Sequence, residues 1–165
     1  MQEKWIRWEP TNNLSKRYYI ESISMNNDGF KIILANSTGN SAKVLITFEN
    51  GVNAFRNSDE TFRLSTIGYL NKNYGGQFYA KWTFFKVESS EYLKWLSEQS
   101  GGISDYYGVT QYSIITDDEI LDVVCTYEPK VTFISQNTEK CDQESTIWGN
   151  NLSKRPSIAA CSRKC

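Results

Sequence analysis

The sequence predicts a mainly β domain, a β-sandwich or bent antiparallel sheet of about seven strands, with one packed α-helix near residues 89–100. Three observations lead there. Short runs of alternating or β-branched residues recur between clusters of Asn, Asp, Gly and Ser, which is the rhythm of strands and turns. Aromatic side chains make up 14% of the chain, enough large rings to fill a core although apolar residues reach only 39%. One stretch, VESSEYLKWLSEQSGGI, carries a helical period with a start and a stop signal.

At the beginning, Trp5, Ile6 and Trp8 form a short segment that Pro10 closes. The first clear strand is 17–25, RYYIESISM, with imperfect alternation. Asn26, Asn27, Asp28 and Gly29 predict a hairpin into a return strand at 30–35, FKIILA. Turn-favouring residues at 36–41 lead to a third strand, 43–48, KVLITF. Glu49, Asn50 and Gly51 predict another hairpin into a fourth strand at 52–56. Residues 61–70 fit neither period, 71–77 read as a loop, and 80–87, AKWTFFKV, read as a strand.

The helix follows. Ser89 or Ser90 can cap its start, with Glu91 in the positive first turn, and Gly101 with Gly102 ends it. Tyr92, Leu93, Trp95, Leu96 and Gln99 share one face; Glu91, Lys94, Ser97 and Glu98 share the other. The first face is expected to bury Tyr92, Leu93 and Leu96, together with Trp95 at the border of the two faces.

Runs 111–116 and 119–125 flank Asp117 and Asp118 and read as a hairpin; a helix over 117–124 is the competing reading. A last strand, 130–134, follows Glu128 and Pro129. From about residue 135 apolar periodicity disappears, and residues 151–165 hold Lys154, Arg155, Arg163 and Lys164 with no acid. The expected organisation is one domain over 1–135 and a polar, basic tail over 136–165, disordered or loosely attached.

Composition excludes several chemistries. The chain has no histidine, which removes the commonest general base and metal ligand, and with them Ser–His–Asp and Cys–His catalysis. Carboxylate-only or Tyr/Lys chemistry stays open. Cys125, Cys141, Cys161 and Cys165 lack the paired spacing of zinc knuckles, and Cys125 at the end of an apolar run reads as a small core residue. Asp117, Asp118, Glu119 and Asp122 resemble a cation cluster, yet the glycine and late glutamate of an EF-hand are missing, and acids at a hairpin turn are ordinary turn formers. Gly75-Gly76 and Gly101-Gly102 lack phosphate-loop spacing. No metal or cofactor is therefore expected. With no apolar run of about 20 residues and no apolar stretch near Met1, the reading is a soluble cytoplasmic protein without a membrane segment.

Net charge is −1, unevenly placed. Residues 88–128 contain nine carboxylates and only Lys94 as a base, a net −8, whereas the flanking segments are positive. Lys4, Arg7, Lys16 and Arg17 interleave with Trp5, Trp8, Tyr18 and Tyr19, a weak nucleic-acid signal that a pI near 5.6 opposes. An acidic block around a helix and a hairpin would steer a basic protein partner if its members share a face.

The segments FFKVESSEYLKWLSEQSGGI and QYSIITDDEILDVVCTYEPKV, with the start WEPTNNLSKRYYIESI, resemble a group of small uncharacterised proteins from Bacillus and related Firmicutes, over about residues 5–134. Genes of this kind often sit near polymorphic toxin genes. The resemblance implies an immunity-type or accessory protein, and it carries over no catalytic residue.

The leading expectation is thus a non-enzymatic binding module that inhibits a basic toxin domain. Its acidic contacts would be Glu91, Glu98, Asp105, Asp117, Asp118 and Asp122, and its aromatic anchors Trp95, Tyr106 and Tyr107. The alternative is a small-ligand or nucleotide-binding β domain of a phage or defence-related regulator. A third reading, a carboxylate-based hydrolase, would need a pair of buried acids.

Overall fold

A computed structural model describes residues 2–36 and 42–134. The expected tail, 136–165, lies outside the described residues, as do Cys141, Cys161 and Cys165. Among the described residues, nine strands form two antiparallel sheets. One sheet has the order β1 (Lys4–Arg7), β6 (Phe84–Glu88), β7 (Thr110–Ile115), β8 (Glu119–Cys125), β5 (Ala54–Asp59). The other has the order β2 (Tyr18–Asn26), β3 (Gly29–Asn36), β4 (Lys43–Phe48), β9 (Lys130–Ile134). The mainly β expectation is met.

Alternation along each strand builds the sheet-to-sheet core. Phe30, Ile32 and Leu34 of β3 and Val44, Ile46 and Phe48 of β4 point inward. They meet Phe84, Tyr112, Ile114, Leu121, Val123 and Cys125 of the five-stranded sheet, with Trp8 and Tyr18 closing one side. Each fully buried Ile, Leu or Phe contributes about 1.5–3 kcal/mol by leaving water.

The five-stranded sheet is buried on its second face as well. Phe85, Val87, Ile115 and Ile120 alternate with the first set and pack with Trp5 against Ile67 and Leu70. Those two belong to α1 (Leu64–Tyr74), which a 3₁₀ turn at Glu60–Arg63 introduces and a short α2 (Gln77–Ala80) follows. Residues 61–70 show no clean period because they span the 3₁₀ turn, which leaves Phe62 in solvent, and α1, which buries only a narrow stripe, Ile67 and Leu70, and leaves Leu64 in solvent. Of the loop expected at 71–77, residues 71–74 are the end of α1, only Gly75 and Gly76 lie between helices, and Gln77 opens α2; the strand expected from residue 80 begins only at Phe84.

The Glu49–Gly51 turn is not a hairpin. Gly51, at φ 79°, hands the chain from β4 in one sheet to β5 in the other, where Asn53 N donates to Val124 O at 2.8 Å. The Asn26–Gly29 hairpin does form, with Asn26 paired to Gly29. Gly29 sits at φ 106°, and a side chain there would run into the Phe48 carbonyl oxygen.

The predicted helix is α3 (Glu91–Gln99), capped by Ser90 Oγ, which accepts from Leu93 N at 3.0 Å. The Gly102 N–H closes its end on Ser97 O at 2.8 Å. A short α4 (Ile103–Tyr107) follows, which the sequence did not announce. The run 119–125 is strand, not helix, because β8 pairs along its whole length with β7 and β5.

Candidate functional site

The nine candidate contact residues separate into three places. Glu91, Trp95 and Glu98 on α3 and Asp105, Tyr106 and Tyr107 on α4 stand together at one end of the β7–β8 hairpin and are exposed. Asp117 and Asp118 sit in the turn at the other end, roughly 17 Å away by the rise of a six-residue strand. Asp117 is already paired with Arg17, whose guanidinium also donates to Tyr79 O at 2.9 Å. Asp122 has no exposure at all and cannot touch a partner. The single acidic face expected over residues 88–128 is therefore divided.

What remains at the α3–α4 end is an aromatic patch with an acidic edge. Trp95 stacks on Tyr92 with ring centroids 5.9 Å apart, yet it is 51% exposed. The expectation that the core would take it is corrected: Tyr92 reaches the sheet first and leaves Trp95 as its outer layer. Tyr106 is 88% exposed, with Tyr107 edge-on to it, and Ile103 is exposed beside them. Asp105 accepts from Ser97 Oγ at 2.6 Å, which ties α4 to α3. Next to the patch, Leu96, Ile103, Tyr107, Val109 and Val124 line an apolar hollow of about 240 Å³. Ser104 Oγ borders it and has no hydrogen-bond partner among the described residues.

The second concavity lies on the helix-covered face of the five-stranded sheet. Its floor is built around Asp122, which alternation turns away from Leu121 and Val123 toward that face. Asp122 Oδ1 accepts from Gln111 Nε2 at 3.0 Å and Ser113 Oγ at 2.7 Å; Oδ2 accepts from Arg56 Nε at 2.7 Å and Arg63 Nη1 at 3.0 Å. Four charge-assisted or neutral donors offset the cost of burying this carboxylate. Ser90 Oγ, the α3 cap, donates in turn to Gln111 Oε1, so the helix start is hydrogen-bonded to the same network. The Arg56 guanidinium lies over the Tyr92 ring, 4.1 Å from its centroid. Burial raises the Tyr92 phenol above its ordinary value; the Arg56 charge opposes this and the Asp122 charge adds to it. Arg63 at the end of the 3₁₀ turn and Ser65, Thr66 and Tyr69 of α1 form one wall, and Ser90, Glu91 and Tyr92 the other, around a cleft of about 520 Å³.

Sequence reasoning missed Arg56 and Arg63. The available signal was Asp122 itself, an acid inside the apolar run EILDVVC, which must find cations if buried. Among the described residues, no group of three His, Cys, Asp or Glu could hold a metal ion, and no helix is long and apolar enough to cross a membrane. Cys125 is a core residue whose Sγ donates to Tyr127 O at 2.9 Å; burial pushes its thiol up. No family model matches the chain, and neither a curated protein nor a solved structure matches it.

Proposed function

We propose that this chain is a non-enzymatic, cytoplasmic protein-binding module of the immunity type, whose α3–α4 end covers a basic surface of a toxin domain. One observation carries the reading: Trp95, Ile103, Tyr106 and Tyr107 are exposed together and edged by Glu91, Glu98 and Asp105, with Lys94 as the one base on these two helices. Large rings in a solvent-facing cluster cost solubility and suit the centre of an interface, where Tyr and Trp anchors dominate binding energy. The acidic edge favours a cationic partner and speeds its approach. The hollow lined by Leu96, Val109 and Val124 fits one apolar side chain of that partner.

The test uses the product of an adjacent toxin gene as purified partner. Association should slow steeply with added salt, and Glu98→Lys combined with Asp105→Lys should slow it further. Tyr106→Ala should raise the dissociation rate, since removal of a central aromatic anchor costs about 2 kcal/mol or more. Binding that ignores salt, charge reversal and loss of Tyr106 would exclude this face.

A further inference from the structure

The cleft between α1 and α3 holds a cationic centre larger than the fold's own pairing requires. Asp122 is one buried charge, and two guanidiniums converge on it. Arg56 spends Nε on Asp122; Arg63 spends Nη1 on Asp122 and Nε on Thr66 Oγ1 at 3.3 Å. Among the described residues, both terminal nitrogens of Arg56 and Nη2 of Arg63 have no protein acceptor, although the Arg63 side chain is only 12% exposed. Both arginines line the cleft. Their planes are fixed, by Asp122 below and by Tyr92 against Arg56. A pre-oriented guanidinium with open N–H groups loses little entropy on binding a planar oxyanion, and the fork geometry suits a carboxylate.

We infer that this cleft is a binding site for a small organic monocarboxylate, held by Arg56 and Arg63. Its about 520 Å³ lies in the range of small-molecule sites. Charge decides between carboxylate and phosphate. The two arginines and Asp122 leave one positive charge on the floor, while Glu3 and Glu91 stand on the walls. With those two carboxylates the cleft carries −1 as a whole, so each further negative charge on a ligand adds repulsion, and a carboxylate with one charge meets less of it than a doubly charged phosphate. Tyr69, Tyr92 and Trp5 give the ligand's carbon body aromatic neighbours. The site lies at the start of α3 and adjoins the aromatic patch through Glu91 and the Tyr92–Trp95 stack, but its arginine signals are read without the protein partner, so it stands or falls separately from the partner surface.

The experiment titrates the full chain with benzoate, with inorganic phosphate and with benzyl alcohol, and follows the arginine Nε–H resonances by NMR. Benzoate should saturate the shifts of the Arg56 and Arg63 Nε–H signals in the millimolar range, and the other two should not. Ser65→Glu, an exposed position on the cleft wall, keeps the Asp122 network and should weaken benzoate by about tenfold or more through charge repulsion. Arg56→Lys keeps a cation on Asp122 but loses the fork, and should weaken it as well. Benzoate shifts that persist unchanged in both variants, phosphate binding tighter than benzoate, or benzyl alcohol binding equally well would each overturn the assignment. So would the absence of any saturable shift.

Discussion

Asp122 and Arg63 meet across 59 residues of chain, carboxylate oxygen to guanidinium nitrogen at 3.0 Å, with the carboxylate wholly buried. The contact joins the second strand of the β7–β8 hairpin to the start of α1, so it fixes one wall of the cleft to its floor. Arg56 completes the pair from β5. Replacing Asp122 by Ala leaves two guanidiniums without their anion. The expected loss is about 3–5 kcal/mol, read as a lower urea midpoint with an unchanged slope. Asp122→Asn should lose less, because an amide oxygen can still accept from Ser113. An Ala variant as stable as the parent would show that the network does not hold the helices.

Ser90 serves two partners, the Leu93 N–H and the Gln111 side chain. Ser90→Ala removes the cap of α3 and one acceptor's donor together. Stability should fall by about 0.5–2 kcal/mol, and amide exchange should rise first in the first turn of α3. Uniform exchange across the chain would argue that the cap acts globally instead.

Gly29 holds a left-handed backbone against the β4 carbonyl of Phe48. Gly29→Ala both strains the backbone and forces β3 from β4 at the turn. The expected cost is about 1–3 kcal/mol, seen in thermal unfolding, whereas Gly68→Ala on open α1 should be neutral or stabilising. Equal melting temperatures for the two variants would refute the clash.

Glu128 is held below the ordinary carboxylate range by hydrogen bonds from Lys86 and from Trp8 Nε1, at 3.0 and 3.1 Å. Its folded value is lower than its unfolded one, so its stabilisation is present above the unfolded value and fades as pH falls through the folded one. Glu128 is largely exposed, so the effect is small. Glu128→Gln should flatten the acid limb of a stability-versus-pH curve without changing stability at pH 9 relative to pH 7. An unaltered acid limb would contradict it.

Cys125 should resist alkylation in the native protein at pH 8 and react once unfolded, since burial both shields the thiol and keeps it protonated. Peptide mapping after iodoacetamide reads this at Cys125 alone. Equal labelling with and without denaturant would place the thiol at the surface.

The strands were legible because alternation and turn residues are local signals. The runs at 30–35, 43–48, 119–125 and 130–134 appear as β3, β4, β8 and β9 with small shifts at their ends. The cap and glycine stop of α3 were equally local. Helix α1 was not legible: its second side faces solvent, so only Ile67 and Leu70 had to be apolar, too few to set a period. The sorting of strands into two sheets was also hidden, because Gly51 permits either a hairpin or a crossing, and only the partner Val124 decides.

For the candidate sites the division is the same. Sequence alone determined that histidine chemistry is absent, that one capped helix opens an acidic region, and that aromatic residues abound there. Tertiary structure decided which acids are surface and which are core. Asp117 and Asp122 are five residues apart, yet one lies in a solvated turn and the other beneath two arginines. Burial and ion pairing are set by residues tens of positions away, whose approach depends on sheet order and helix placement. The sequence carries an acid's identity; the fold assigns its dielectric and its partners.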